Sequence, residues 1–187
     1  MRFSLAIAIS VVAAVVSAPA FAGVLVVNQG LGRECYVATL LPPDRLRDAE
    51  NLQVCDLAIT TNISGAHDLA ANYINRSDLK LRQNDYAGAL SDAEKGLALE
   101  ANLGEAYVNR GAGMLGLRRC EDALPVLDQA IQLKGDQLPV AYFDRAVAKE
   151  CLGDVKGAYL DYKKTVALAP NFQPAIEQLQ RFSVTTQ

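Results

Sequence analysis

The feature that most constrains this chain is a pattern that returns three times. Asn75-Arg76-Ser77, Asn109-Arg110-Gly111 and Asp144-Arg145-Ala146 stand 34 and then 35 residues apart, each a polar residue, an arginine and a small residue. Two further columns of small residues keep the same period: Ala89, Ala123 and Ala158, then Gly96, Ala130 and Thr165. Within the middle unit, Tyr107, Gly111, Met114 and Leu115 recur at spacings of three and four, and so do Ala123, Leu127, Ala130 and Ile131. Such spacing puts each set on one face of a helix. A helix pair that buries only one stripe needs neighbours, and small side chains at constant period let neighbouring axes approach closely. The pattern predicts stacked helical hairpins.

On these columns the chain resembles the tetratricopeptide repeat family, and with the leader described below it resembles exported bacterial members of that family. The family's unit is a helix–turn–helix of about 34 residues with a small residue in each helix and a proline closing the second. Here Pro170 closes the last unit, with Ala101 and Gly135 in the equivalent earlier places, and Tyr73, Tyr107 and Tyr142 supply the early aromatic. The resemblance spans residues 66–171. It implies an all-α fold, a right-handed superhelical solenoid of about three hairpins, with an N-terminal half-repeat and a C-terminal capping helix. The expected boundaries are an irregular arm at 23–43, a half-repeat helix and loop at 44–65, and hairpins at 66–102, 103–136 and 137–171. A capping helix and tail follow at 172–187, the helix running from Phe172 to Phe182 and the last residues fraying.

Residues 1–22 read as a signal peptide. Arg2 precedes an Ala- and Val-rich run from Leu5 to Val16, and Ala20-Phe21-Ala22 is a small-x-small ending that suits cleavage after Ala22. The run is short for a membrane span, so no stable insertion is expected after cleavage, and the mature chain belongs in a bacterial periplasm or outside the cell. The formal charge of −3 becomes about −4 without Arg2, and no basic run argues for nucleic acid. Trp is absent and His67 is the sole histidine, which leaves little for a histidine-based active site or a metal cluster. No cofactor is expected.

Cys35, Cys55, Cys120 and Cys151 all follow the leader. An even count in an oxidising compartment favours two disulfides, and three connectivities are open. The expected pairs are Cys35–Cys55, stapling the arm to the half-repeat, and Cys120–Cys151, which adjacent stacked hairpins bring to one edge. A redox enzyme would want C-x-x-C, and zinc would want clustered Cys and His; neither pattern is present. The chain reads as a non-enzymatic module.

In tetratricopeptide proteins the first helices line a concave groove that takes an extended peptide or a partner's helix. Carried over by position, the resemblance implies groove candidates Asn75, Asp78, Arg82, Glu105, Asn109, Phe143, Asp144 and Glu150, with Ile74, Val108, Ala112, Val140 and Val147 beside them. Asn75 and Asn109 would grip a ligand backbone. The subclass that clamps a carboxylate needs several basic groups there, and this chain has Ile74, Asp78, Val140 and Asp144 instead. The acidic set points to a protein or peptide partner of mixed or basic character. The repeated Arg76, Arg110 and Arg145 admit a ligand role, but pairing with Asp92 or Asp161 on a second helix accounts for them better. A second reading of the whole chain is self-association into oligomers through exposed helices or the Val24–Val27 arm.

Overall fold

A computed structural model describes residues 2–5, 30–61 and 65–185. The expected leader, apart from residues 2–5, and the Val24–Val27 arm lie outside the described residues. The order is β1 (Arg2–Leu5), α1 (Leu31–Leu40), α2 (Arg45–Thr60), α3 (Ala66–Arg82), α4 (Tyr86–Leu99), α5 (Gly104–Gly116), α6 (Cys120–Leu133), α7 (Leu138–Cys151), α8 (Val155–Leu168), α9 (Gln173–Leu179) and β2 (Phe182–Thr185).

Local chemistry sets the hairpin boundaries. Asp44 accepts from the backbone N–H groups of Leu46 and Arg47 at 3.1 and 3.0 Å and so starts α2. Asp85 and Asp154 start α4 and α8 in the same way, each accepting at 2.9 Å from the N–H of Gly88 or Gly157. A Cβ on Gly88 would stand 2.1 Å from the capping carboxylate of Asp85, which is why a glycine sits there. In the middle hairpin Arg119 precedes α6 and offers no side-chain cap. Each first helix ends on a left-handed residue, Asn84 (φ 62°), Arg118 (φ 60°) or Gly153 (φ 82°). Glycine and asparagine tolerate that conformation, whereas arginine costs roughly 1 kcal/mol.

The small-residue columns are where the helices of a hairpin meet. Ala89, Ala123 and Ala158 are fully buried. A Cβ on Gly111 would meet Leu127 Cδ2 at 2.5 Å, and in the first hairpin Ser77 Oγ instead donates to the carbonyl of Ala89 at 2.8 Å. Leu127 has no exposed surface, a burial worth about 2 kcal/mol or more. Its counterpart in the third hairpin is Tyr162, packed with Phe143 at 5.5 Å between ring centres. Between hairpins, α3 packs on α5 and α5 on α7, while no comparable contact joins α4 to α6 or α6 to α8. The odd-numbered helices therefore form the inner layer of a tetratricopeptide-like solenoid, and the even-numbered ones splay outward.

Three boundaries differ from the sequence reading. Within the expected irregular arm, Leu31–Leu40 is helical and packs on α2, so the N-terminal unit is a full hairpin. Its short stripe of Cys35, Ala38 and Thr39 gains burial against α2 and Leu79 that no local periodicity announced. The closing helix stops at Leu179, short of Phe182. Beyond it the tail is paired through Thr185 rather than frayed: β2 runs antiparallel to β1, with Arg2 opposite Thr185 and Leu5 opposite Phe182. The Phe182 ring also rests on Tyr159 and Tyr162, at 5.6 and 6.0 Å between ring centres.

Candidate functional site

The repeated arginines build joints between hairpins. Arg76 donates Nε and Nη2 to the two carboxylate oxygens of Asp92, both at 2.7 Å, and Nη1 to Asp56 on α2 at 2.6 Å. Arg145 repeats the arrangement with Asp161 at 2.8 and 2.7 Å and with Asp128 on α6 at 2.6 Å. Lys80 and Lys149 complete each cluster at 2.7 Å from Asp92 and Asp161. These contacts hold the Asp92 carboxyl below its ordinary range despite burial, and the paired carboxylates push both guanidinium groups further up. Each arginine thus ties its own second helix to that of the preceding hairpin. The middle unit departs from the pattern because Val126 and Met114 replace the aspartate and the lysine. Arg110 keeps a 3.6 Å contact with Glu94, and its Nε has no hydrogen-bond partner among the described residues.

Most of the groove candidates are engaged within the fold. Asn75 is fully buried and partnered, and Asn109, also buried, donates its amide to the carbonyl of Ile74 at 3.1 Å. That bond joins α5 to α3, so Asn109 serves the stack instead of waiting for a ligand backbone. Arg82 and Asp78 form a buried ion pair at 2.8 Å, and Arg82 also donates to the carbonyls of Thr39 and Leu41 at the α1–α2 turn. These two residues therefore anchor the N-terminal hairpin. Burial, with Asp48 close by, pushes the Asp78 carboxyl up to about 6 despite the opposing Arg82. Phe143 belongs to the core, with Tyr162 and Phe172 around it. Glu150 accepts from the Tyr162 hydroxyl at 3.0 Å and from Arg181 at 2.7 Å. Glu105 remains half-buried beside Gly135.

Asp144 is different. It lies on α7 in the column of Asn75 and Asn109, it is 6 % exposed, and its Oδ2 has no hydrogen-bond partner among the described residues. Burial alone pushes its carboxyl up to about 7. Sequence reasoning could place Asp144 on the inner layer but could not reveal its isolation, which depends on what surrounds it.

The cysteines pair as Cys35–Cys55 and Cys120–Cys151. The first pair is wholly buried between α1 and α2, whereas in the second Cys120 is buried and Cys151 exposed. His67 pairs with Glu100 on the surface at 2.6 Å. Among the described residues, no group of three or more His, Cys, Asp or Glu side chains could hold a metal ion. Nor is any described helix long and apolar enough to cross a membrane.

No protein-family model matches the chain. No curated protein sequence matches it either. Among solved structures it is similar to the one titled "Crystal structure of MamA", at 15 % identity and a TM-score of 0.61, with 82 % of each chain covered. A likeness at that identity speaks to architecture, and with the stacked hairpins it establishes a tetratricopeptide-like helical solenoid as the fold of this chain.

Proposed function

We propose that this chain is an exported, non-enzymatic scaffold that holds a peptide or helix of another protein against the inner layer formed by α3, α5 and α7. The observation that carries this reading is the layering itself. Each hairpin packs its second helix, and more lightly its first, on the first helix of the next, while second helices do not pack on one another; this leaves a continuous inner face, the usual site of partner docking in helical solenoids. The two disulfides support an oxidising destination, because such pairs do not persist in a reducing cytosol. Cleavage after Ala22 would remove β1 and leave β2 without its partner strand in the mature protein.

Photo-crosslinking in cells tests the groove. Probes at Glu105 and Val147, half-buried on α5 and α7, are compared with one at the exposed Glu121 on α6. A discrete adduct from the inner positions alone supports docking in the groove. Adducts to a second copy of the chain would favour the self-associating alternative, and equal adducts from all three positions would count against the groove. The mass of the protein recovered from the periplasm tests export, with a mature chain beginning at Gly23 expected.

A further inference from the structure

We propose that Asp144 is the docking point for a basic side chain of the protein partner, an arginine or lysine laid against the inner face of the third hairpin. This rests on the groove reading above and names the chemistry of what the groove takes.

The argument begins with a comparison of the buried carboxylates. Asp92 and Asp161 each face an arginine and a lysine, and Asp48 and Asp78 face Arg82. Asp144 is buried as deeply as Asp78 and nearly as deeply as Asp161, and faces no cation among the described residues. Burial disfavours the ionised form of such a carboxyl, and no cation described within the fold offsets that.

Substitution within the repeat deepens the contrast. At the equivalent place in the middle hairpin, the Asn109 amide donates to a carbonyl of the preceding first helix. An ionised carboxylate cannot donate, so aspartate at 144 forgoes that joint and introduces a charge instead. Asparagine would fit the position, since it occupies the same place at 75 and 109.

The surroundings suit a cation. Glu105 and Glu150, half-buried on α5 and α7, add to the negative potential of the inner layer. Glu150 is already held by Tyr162 and Arg181, whereas the Oδ2 of Asp144 has no hydrogen-bond partner among the described residues. An acidic or apolar segment docked there would seal a bare charge beneath it, so the site discriminates by exclusion as well as attraction.

The test is selection of short peptides from a random displayed library on the full chain. It is run in parallel with Asp144→Asn, Asp144→Glu and the exposed control Glu121→Gln, after thermal melts have shown each variant folded. The wild-type protein and Glu121→Gln should select peptides sharing an Arg or Lys at one position. Asp144→Glu should keep that preference. Asp144→Asn should lose it and bind the selected peptides about 30-fold or more weakly, as expected when one partner of a desolvated charge pair is neutralised. Peptides that bind wild type and Asp144→Asn alike would overturn the proposal while leaving the groove reading intact, as would selected peptides with no basic residue in common. Recovery of no peptide by any of the proteins would overturn the groove reading and this proposal with it.

Discussion

Removing the same residue type from the same column of two hairpins should have very different consequences. In Arg145→Met the fold loses two hydrogen bonds to Asp161, which is 5 % exposed, and the bridge to Asp128 on the preceding hairpin. Breaking a buried pair from one side typically costs 3–5 kcal/mol, because the remaining charge is left without its partner. Lys149 stays at 2.7 Å from Asp161 and softens that loss, so we expect about 2–3 kcal/mol. In Arg110→Met the loss is a 3.6 Å contact with Glu94, whose side chain is half exposed, and methionine preserves much of the packed stem. Exposed pairs contribute about 0–1 kcal/mol, so the expected change is under ~1 kcal/mol. Urea titration followed by far-ultraviolet circular dichroism, with disulfides intact, resolves the two. With m near ~2 kcal/mol/M, Arg145→Met should lower the midpoint by about 1 M or more and Arg110→Met by less than half as much. Equal shifts would refute the view that the arginine column acts through its buried aspartate. Restoring both missing partners with Val126→Asp and Met114→Lys should then make Arg110 as sensitive as Arg145.

Other outcomes follow from single sites. Asp144→Asn should stabilise the protein at alkaline pH and have little effect in acid. The folded carboxyl holds its proton to about 7 and the unfolded one releases it near 3.8, so the folded state binds more protons between those values and loses stability as pH rises through them. The gain at pH 8 should be on the order of 2–4 kcal/mol and much smaller by pH 5, and a difference independent of pH in urea midpoints would contradict this. Mild reductant should open Cys120–Cys151 before Cys35–Cys55, since Cys151 is exposed and the other pair is wholly buried; alkylation and peptide mass mapping would show the order. Loss of either crosslink should cost about 3–4 kcal/mol by loop-closure entropy, for sequence separations of 31 and 20. Arg118→Gly should raise stability by about 0.5–1 kcal/mol by relieving a left-handed arginine, and a fall in melting temperature would argue that the arginine's own contacts matter more.

What could be read from the chain alone was whatever repeats. Ala89, Ala123 and Ala158 announced helix crossings because a close approach needs a small side chain wherever it recurs, and the same holds for Ser77, Gly111 and Ala146. Asp85 and Asp154 announced helix starts because a cap acts within three residues. The pairing of Arg76 with Asp92 and of Arg145 with Asp161 followed from the same periodicity, but the bridges to Asp56 and Asp128 did not. The α1 helix was not legible, since its ten residues carry a single short stripe and no side-chain cap, and only burial against α2 and Leu79 makes it worth forming. Nor was the pairing of β2 with β1, which joins residues from opposite ends of the chain.

The groove shows the division most clearly. Periodicity assigned Asn109, Phe143 and Asp144 to first helices, which is a statement about phase along a helix axis. Tertiary packing decided that Asn109 bonds to Ile74, that Phe143 fills the core beside Tyr162, and that Asp144 is buried without a cation among the described residues. Phase is local and recurs with the repeat, so a sequence carries it openly. Solvation of a charge depends on every atom around it, and those atoms come from helices distant in the chain.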